Sequence, residues 1–67
     1  MKWSANSESI KSRHYEIDHD QSVGFYLYVF EGDKCIDDYL QDTLAIAMKY
    51  AWEEYGVPKN AWKKVKE

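Results

Sequence analysis

Three groups of residues in this 67-residue chain are of the types that do chemistry. Asp18-His19-Asp20, with His14 nearby, offers the imidazole and carboxylate ligands that zinc and other divalent ions accept. Structural zinc sites have recognisable ligand spacings and mostly thiolates, however, and the single cysteine, Cys35, lies on a different segment. The cluster reads as a solvated turn, and no metal is expected. Cys35 beside a histidine would make a thiolate pair, because an imidazolium lowers a thiol pKa. Its neighbours Asp33, Asp37 and Asp38 act the other way, since negative charge keeps a thiol protonated. Asp37 and Asp38 themselves project to opposite faces of any strand that holds them, which prevents a carboxylate dyad. There is no Gly-rich phosphate loop, no HExxH and no Ser/His/Asp spacing. The expectation is a non-catalytic protein without a cofactor.

A fourth group acts by stacking rather than by making bonds. Gly24-Phe25-Tyr26-Leu27-Tyr28-Val29-Phe30-Glu31 holds six consecutive β-favouring residues and is apolar on both faces. Phe25, Leu27 and Val29 point one way and Tyr26, Tyr28 and Phe30 the other. A single helix covers only one of these faces. Sheet aromatics stack single-stranded bases in some nucleic-acid platforms, but those also need a basic groove, and Glu16, Asp18, Asp20 and Asp37 make this surface acidic. Tyrosines are equally favoured at protein interfaces, being large, rigid and able to hydrogen-bond. Acid beside tyrosine suits a basic protein partner. The expected partner-binding set is Tyr26, Tyr28, Phe30, Asp37 and Tyr39 on the sheet, with Ile46 and Tyr50 on the helix.

Positioning these side chains requires a small sheet and a helix. Arg13-His14-Tyr15-Glu16-Ile17-Asp18 alternates with period two, placing Tyr15 and Ile17 on one face and His14, Glu16 and Asp18 on the other. The turn that follows brings Tyr15 and Ile17 onto the Phe25, Leu27 and Val29 face if its length is odd, and beside Tyr26 and Tyr28 if it is even; the odd length is expected. Gly32-Asp33 makes an acceptable two-residue hairpin loop. In that register Phe30 opposes Cys35, Val29 opposes Ile36, Tyr28 opposes Asp37 and Tyr26 opposes Tyr39. Ile36 and Leu40 then join the core face, and Cys35, Asp37 and Tyr39 join the aromatic face. From Asp42 the period becomes helical, with Asp42 or Thr43 as N-cap and Gly56 before Val57-Pro58 as the stop, so a helix is predicted at about 43–55. Leu44, Ala47, Met48, Ala51, Trp52 and Tyr55 gather on one side, while Ile46 and Tyr50 fall near the polar side. The tail predicts a turn and a short edge segment anchored by Trp62 and Val65, its lysines blunting the edge.

The fold class is therefore α+β: a three-stranded antiparallel meander at about 12–19, 24–31 and 34–39 with one helix on one face and a possible C-terminal edge segment. Residues 1–9 are read as a mobile arm and residues 10–67 as one small domain. A domain of this size buries only about 60% of its unfolded surface, so dimerisation would help it. The net charge of −3 hides an asymmetry: eight acids against Lys34 between His14 and Asp42, and four lysines against Glu67 from Val57 onwards. An acidic body repels phosphate backbones and attracts basic partners. With no apolar leader and no run of about 18 apolar residues, a cytoplasmic protein without a membrane span is expected.

Residues 13–65 resemble short bacterial proteins of unassigned activity. The likeness lies in the aromatic strand Gly24-Phe25-Tyr26-Leu27-Tyr28, the helix start Asp42-Thr43-Leu44 and the ending from Tyr55 to Pro58. It implies a bacterial origin and a compact β-hairpin-plus-helix fold, and it brings no activity with it. Small acidic toxin-immunity proteins are similar in size and charge only. Together these observations predict an interaction module that binds a basic protein, inhibitor-like or immunity-like, through its aromatic and acidic sheet face. The alternative is an obligate homodimer burying that face, and a single-stranded nucleic-acid binder ranks third.

Overall fold

In the computed structural model, which describes residues 1–7 and 10–65, the chain runs β1 (Lys2–Asn6), β2 (Arg13–Asp20), β3 (Gly24–Glu31), β4 (Lys34–Gln41), α1 (Leu44–Tyr55), a 3-10 turn (Lys59–Ala61) and β5 (Lys63–Val65). The strands form one antiparallel sheet in the order β4-β3-β2-β1-β5, and α1 packs on one face of it. The meander β2-β3-β4 is present as expected, but the sheet has five strands rather than three. Trp3 and Ala5 alternate with Lys2, Ser4 and Asn6, and they pair opposite Ile17 and Tyr15. Ala5 is buried there, and the Trp3 ring lies 6.1 Å from that of Phe25. The segment read as an arm thus supplies an inner strand over Lys2–Asn6, and β5 pairs along its outer side, Lys2 opposite Val65. Residues 8 and 9 of the expected arm, and 66 and 67 of the basic tail, lie outside the described residues.

The turn Gln21-Ser22-Val23 has the odd length expected, and the Asp20 carboxylate accepts a hydrogen bond from the Ser22 N–H at 2.8 Å. Tyr15 therefore pairs with Val29 and Ile17 with Leu27, and these four are the largest fully buried side chains. Gly24 opens β3 at φ 132°, where a Cβ would stand 2.5 Å from the Gln41 carbonyl oxygen; only glycine permits that approach of β4. At the other end of the same hairpin pair, Arg13 Nε donates to Glu31 Oε2 at 2.7 Å. That guanidinium bond holds the Glu31 carboxyl below its ordinary range.

The second hairpin corrects the register read from the sequence. Glu31 opposes Lys34 and Phe30 opposes Cys35, but Val29 then opposes Asp37, so Ile36 is an extra residue on β4, a β-bulge. Beyond it every residue changes face. Tyr28 opposes Asp38 rather than Asp37, and Tyr26 opposes Leu40 rather than Tyr39. Asp37 and Tyr39 move to the helix side, while Ile36 and Leu40, expected in the core, are 40% and 50% exposed.

Helix α1 starts at the Thr43 cap, whose Oγ1 accepts from the Ile46 N–H at 3.1 Å, and stops at Gly56 in the left-handed region. Ala47 and Ala51 are its fully buried residues, small enough for a close approach to the sheet, and Leu44, Met48, Tyr50 and Tyr55 pack around them. Two helix positions differ from expectation. Trp52 is 57% exposed, because the stripe touching the sheet is narrow, and Tyr50 is half-buried against Tyr39. No helix among the described residues is long and apolar enough to cross a membrane.

Candidate interaction surface on the open sheet face

The face away from α1 is a grid whose rows follow from strand pairing. One row reads Lys2, Asp18, Tyr26, Leu40; the next Ser4, Glu16, Tyr28, Asp38; the third Asn6, His14, Phe30, Cys35. Lys63 and Val65 of β5 extend it beside Ser4 and Lys2. Down the middle, successive outward positions of β3 form a column of rings. The centroids of Tyr26 and Tyr28 are 5.9 Å apart and nearly parallel, Tyr28 and Phe30 are 6.3 Å apart and tilted, and His14 stacks on Phe30 at 4.7 Å and 8°. Four rings are thus in continuous contact on an open surface, each of them only half-buried.

Acids border this column on both sides. Glu16 is engaged, its carboxylate 3.1 Å from His14 Nε2 and 3.7 Å from Lys2 Nζ. Among the described residues Asp18 and Asp38 make no side-chain hydrogen bond or ion pair. Partial burial, and then the charge of Asp18, push the Tyr28 hydroxyl pKa up. Tyr28 therefore keeps its proton throughout the neutral range, with Asp38 beside it in its own row and Asp18 diagonal to it in the next.

Of the seven residues expected at the site, the structure brings Tyr26, Tyr28 and Phe30 together. Asp37 and Tyr39 belong to a different cluster on the helix side, displaced by the Ile36 bulge. There the Tyr55 hydroxyl donates to Asp37 Oδ2 at 3.0 Å, Tyr39 and Tyr55 hydroxyls are 3.2 Å apart, and the Tyr39 and Tyr50 rings are 4.5 Å apart. Hydrogen bonding to Tyr39 raises the Tyr50 pKa to about 12. These phenols hold their protons and tie the last turns of α1 to β4. Ile46 is exposed on α1, with the sheet between it and the ring column. His14, Glu16, Asp18, Asp38 and Leu40 are the members that the sequence-based set lacked; the period-two alternation of β2 signals the first three.

The other chemically capable residues are dispersed. His19 stacks on Phe25 at 4.1 Å on the covered face, whereas Asp18 lies on the open one. Phe30 stands between His14 and Cys35 in their row, and the exposed Cys35 thiol donates to the Asp37 carbonyl at 3.4 Å. Among the described residues no three His, Cys, Asp or Glu side chains group as a metal site. A separate groove of about 420 Å³ runs along α1 between Met48, Lys49, Trp52 and Lys59. No protein-family model, curated protein sequence or solved structure matches the chain, and the site is read from its own residues alone.

Proposed function

We propose that the chain is a non-catalytic interaction module that binds a basic protein surface through the open sheet face, in the manner of an inhibitor or immunity-like protein. The observation that carries this reading is the ring column His14–Phe30–Tyr28–Tyr26 with Asp18 and Asp38 unpaired beside it. Stacked tyrosines supply a rigid contact area at low entropic cost, and two free carboxylates give it a sign. The partner bound by the native chain should be lost by Tyr28→Ala and by Asp38→Lys, and kept by Ile46→Ala on the far side. Retention by a folded Tyr28→Ala protein would sink the proposal.

A second reading has one observation in its favour. Lys2 and Lys63 lie toward the β1–β5 side of the face and Asp38 at the β4 side, so an inverted second copy sets these lysines toward the Asp38 of its partner. A homodimer would give a solution mass that rises with concentration to twice the chain mass and falls to that of the monomer in Tyr28→Ala. A mass constant at that of one chain from dilute to concentrated solution removes it.

A further inference from the structure

The two edges of the sheet are unequal. β5 is three residues long and carries Lys63 and Lys64, whereas β4 is eight residues long, and among the described residues no strand pairs along its outer side. Lys34 to Asp38 and Leu40 are exposed. Such an edge presents backbone N–H and C=O groups to solvent, and strand addition is the recurring way in which they are used. The Ile36 bulge interrupts the edge near its start and leaves Asp37–Gln41 as a regular run.

Charge decides the occupant. Asp37 lies on the helix side of β4 and Asp38 on the open side, with Asp42 just beyond the strand, so an incoming strand passes a carboxylate on each face. A second copy pairing antiparallel through Asp37–Gln41 would set Asp37 opposite Gln41 and Asp38 opposite Leu40, so neither carboxylate meets a cation, whereas a basic segment supplies one to each. We infer that β4 accepts an extended basic segment of a partner protein as a sixth strand along Asp37–Gln41, with cationic side chains beside Asp37 and Asp38 and apolar ones beside Tyr39 and Leu40. The inference rests on the basic partner proposed above and adds how that partner is held. A strand there places the flanking part of the partner against Leu40, Tyr26 and Tyr28.

The test uses the full chain and the peptide acetyl-Thr-Val-Ile-Arg-Lys-Thr-amide, whose order suits antiparallel pairing from Gln41 back to Asp37. At saturation the β4 amides should exchange about tenfold more slowly with solvent. Methylating the peptide nitrogens on alternate residues keeps its charge and side chains but removes pairing, and should weaken binding about tenfold. A counterpart with Glu in place of Arg and Lys should not bind. Binding indifferent to methylation overturns strand addition while leaving the basic-partner reading in place. Equal binding of the Glu peptide overturns the charge assignment, and binding by neither peptide overturns the inference, the partner reading then standing or falling on Tyr28→Ala. Slower β4 exchange on concentrating the protein alone would make a second copy the occupant and overturn it too.

Discussion

On strand β3, Leu27 and Val29 are fully buried beneath α1, while Tyr26, Tyr28 and Phe30 on the opposite side keep part of their surface in water. Both sets carry a large apolar surface, the tyrosines ending in a hydroxyl that favours the water side, and the difference lies also in what each shape allows. Branched aliphatics fill the pleat evenly, and the methyl groups of Ala47 and Ala51 let the helix close over them. The rings instead shield one another lengthwise, flank on flank, which removes some of their surface from water without any covering layer. The lesson is that a small sheet keeps an apolar face open when that face is partly covered by its own neighbours.

The comparison breaks if the two faces carry stability equally. Leu27→Ala should cost about 2–5 kcal/mol, through lost burial and the cavity left, seen as a lower urea midpoint with the slope unchanged. Tyr28→Ala should cost below about 1 kcal/mol, the scale of a cross-strand pair contribution, while abolishing partner binding. Equal losses would make the ring column a structural core. A smaller effect sharpens the covered side. The Arg13 bond lowers the Glu31 pKa, so its stabilisation is present above the ordinary carboxyl value of 4.5 and is lost as pH falls through the lowered native value. Thermal midpoints of Glu31→Gln should accordingly fall less than those of the native chain across that acid window. The smallest effect is spectroscopic. Tyr50, with its pKa raised to about 12 on the helix side, should give the latest phenolate absorbance step, absent in Tyr50→Phe. The same shift means stability present below pH 10 and lost as pH rises through about 12.

Most of the frame was legible in local patterns. Period-two alternation marks β2 and β3, the parity of the first turn follows from where Tyr15 and Ile17 must go, and the Thr43 and Gly56 caps bound the helix. Those signals are local, and the misses came where the deciding physics is not. The Ile36 bulge inserts one residue without changing composition, yet it exchanges the faces of Asp37, Asp38, Tyr39 and Leu40, and with them two of the five sheet residues expected at the site. Strand β1 did alternate, Trp3 and Ala5 against polar neighbours, but five residues of mixed polarity reveal a strand only when Ile17 and Tyr15 are there to pair with it. Trp52 falls on the apolar side of the helical wheel, but α1 meets the sheet along its alanines, leaving the indole beyond the contact.

The pairing of Lys2 with Val65 has a consequence for the order of assembly. β2, β3 and β4 are joined by tight turns and meet their neighbours within a few residues of being made, which is the fast kind of contact. β1 can reach β2 early, but its other flank waits for β5, separated from it by nearly the whole described chain. During synthesis the protein thus passes through a stage in which a second row of backbone groups is exposed, and the emergence of β5, rather than growth of the meander, is the event that closes it.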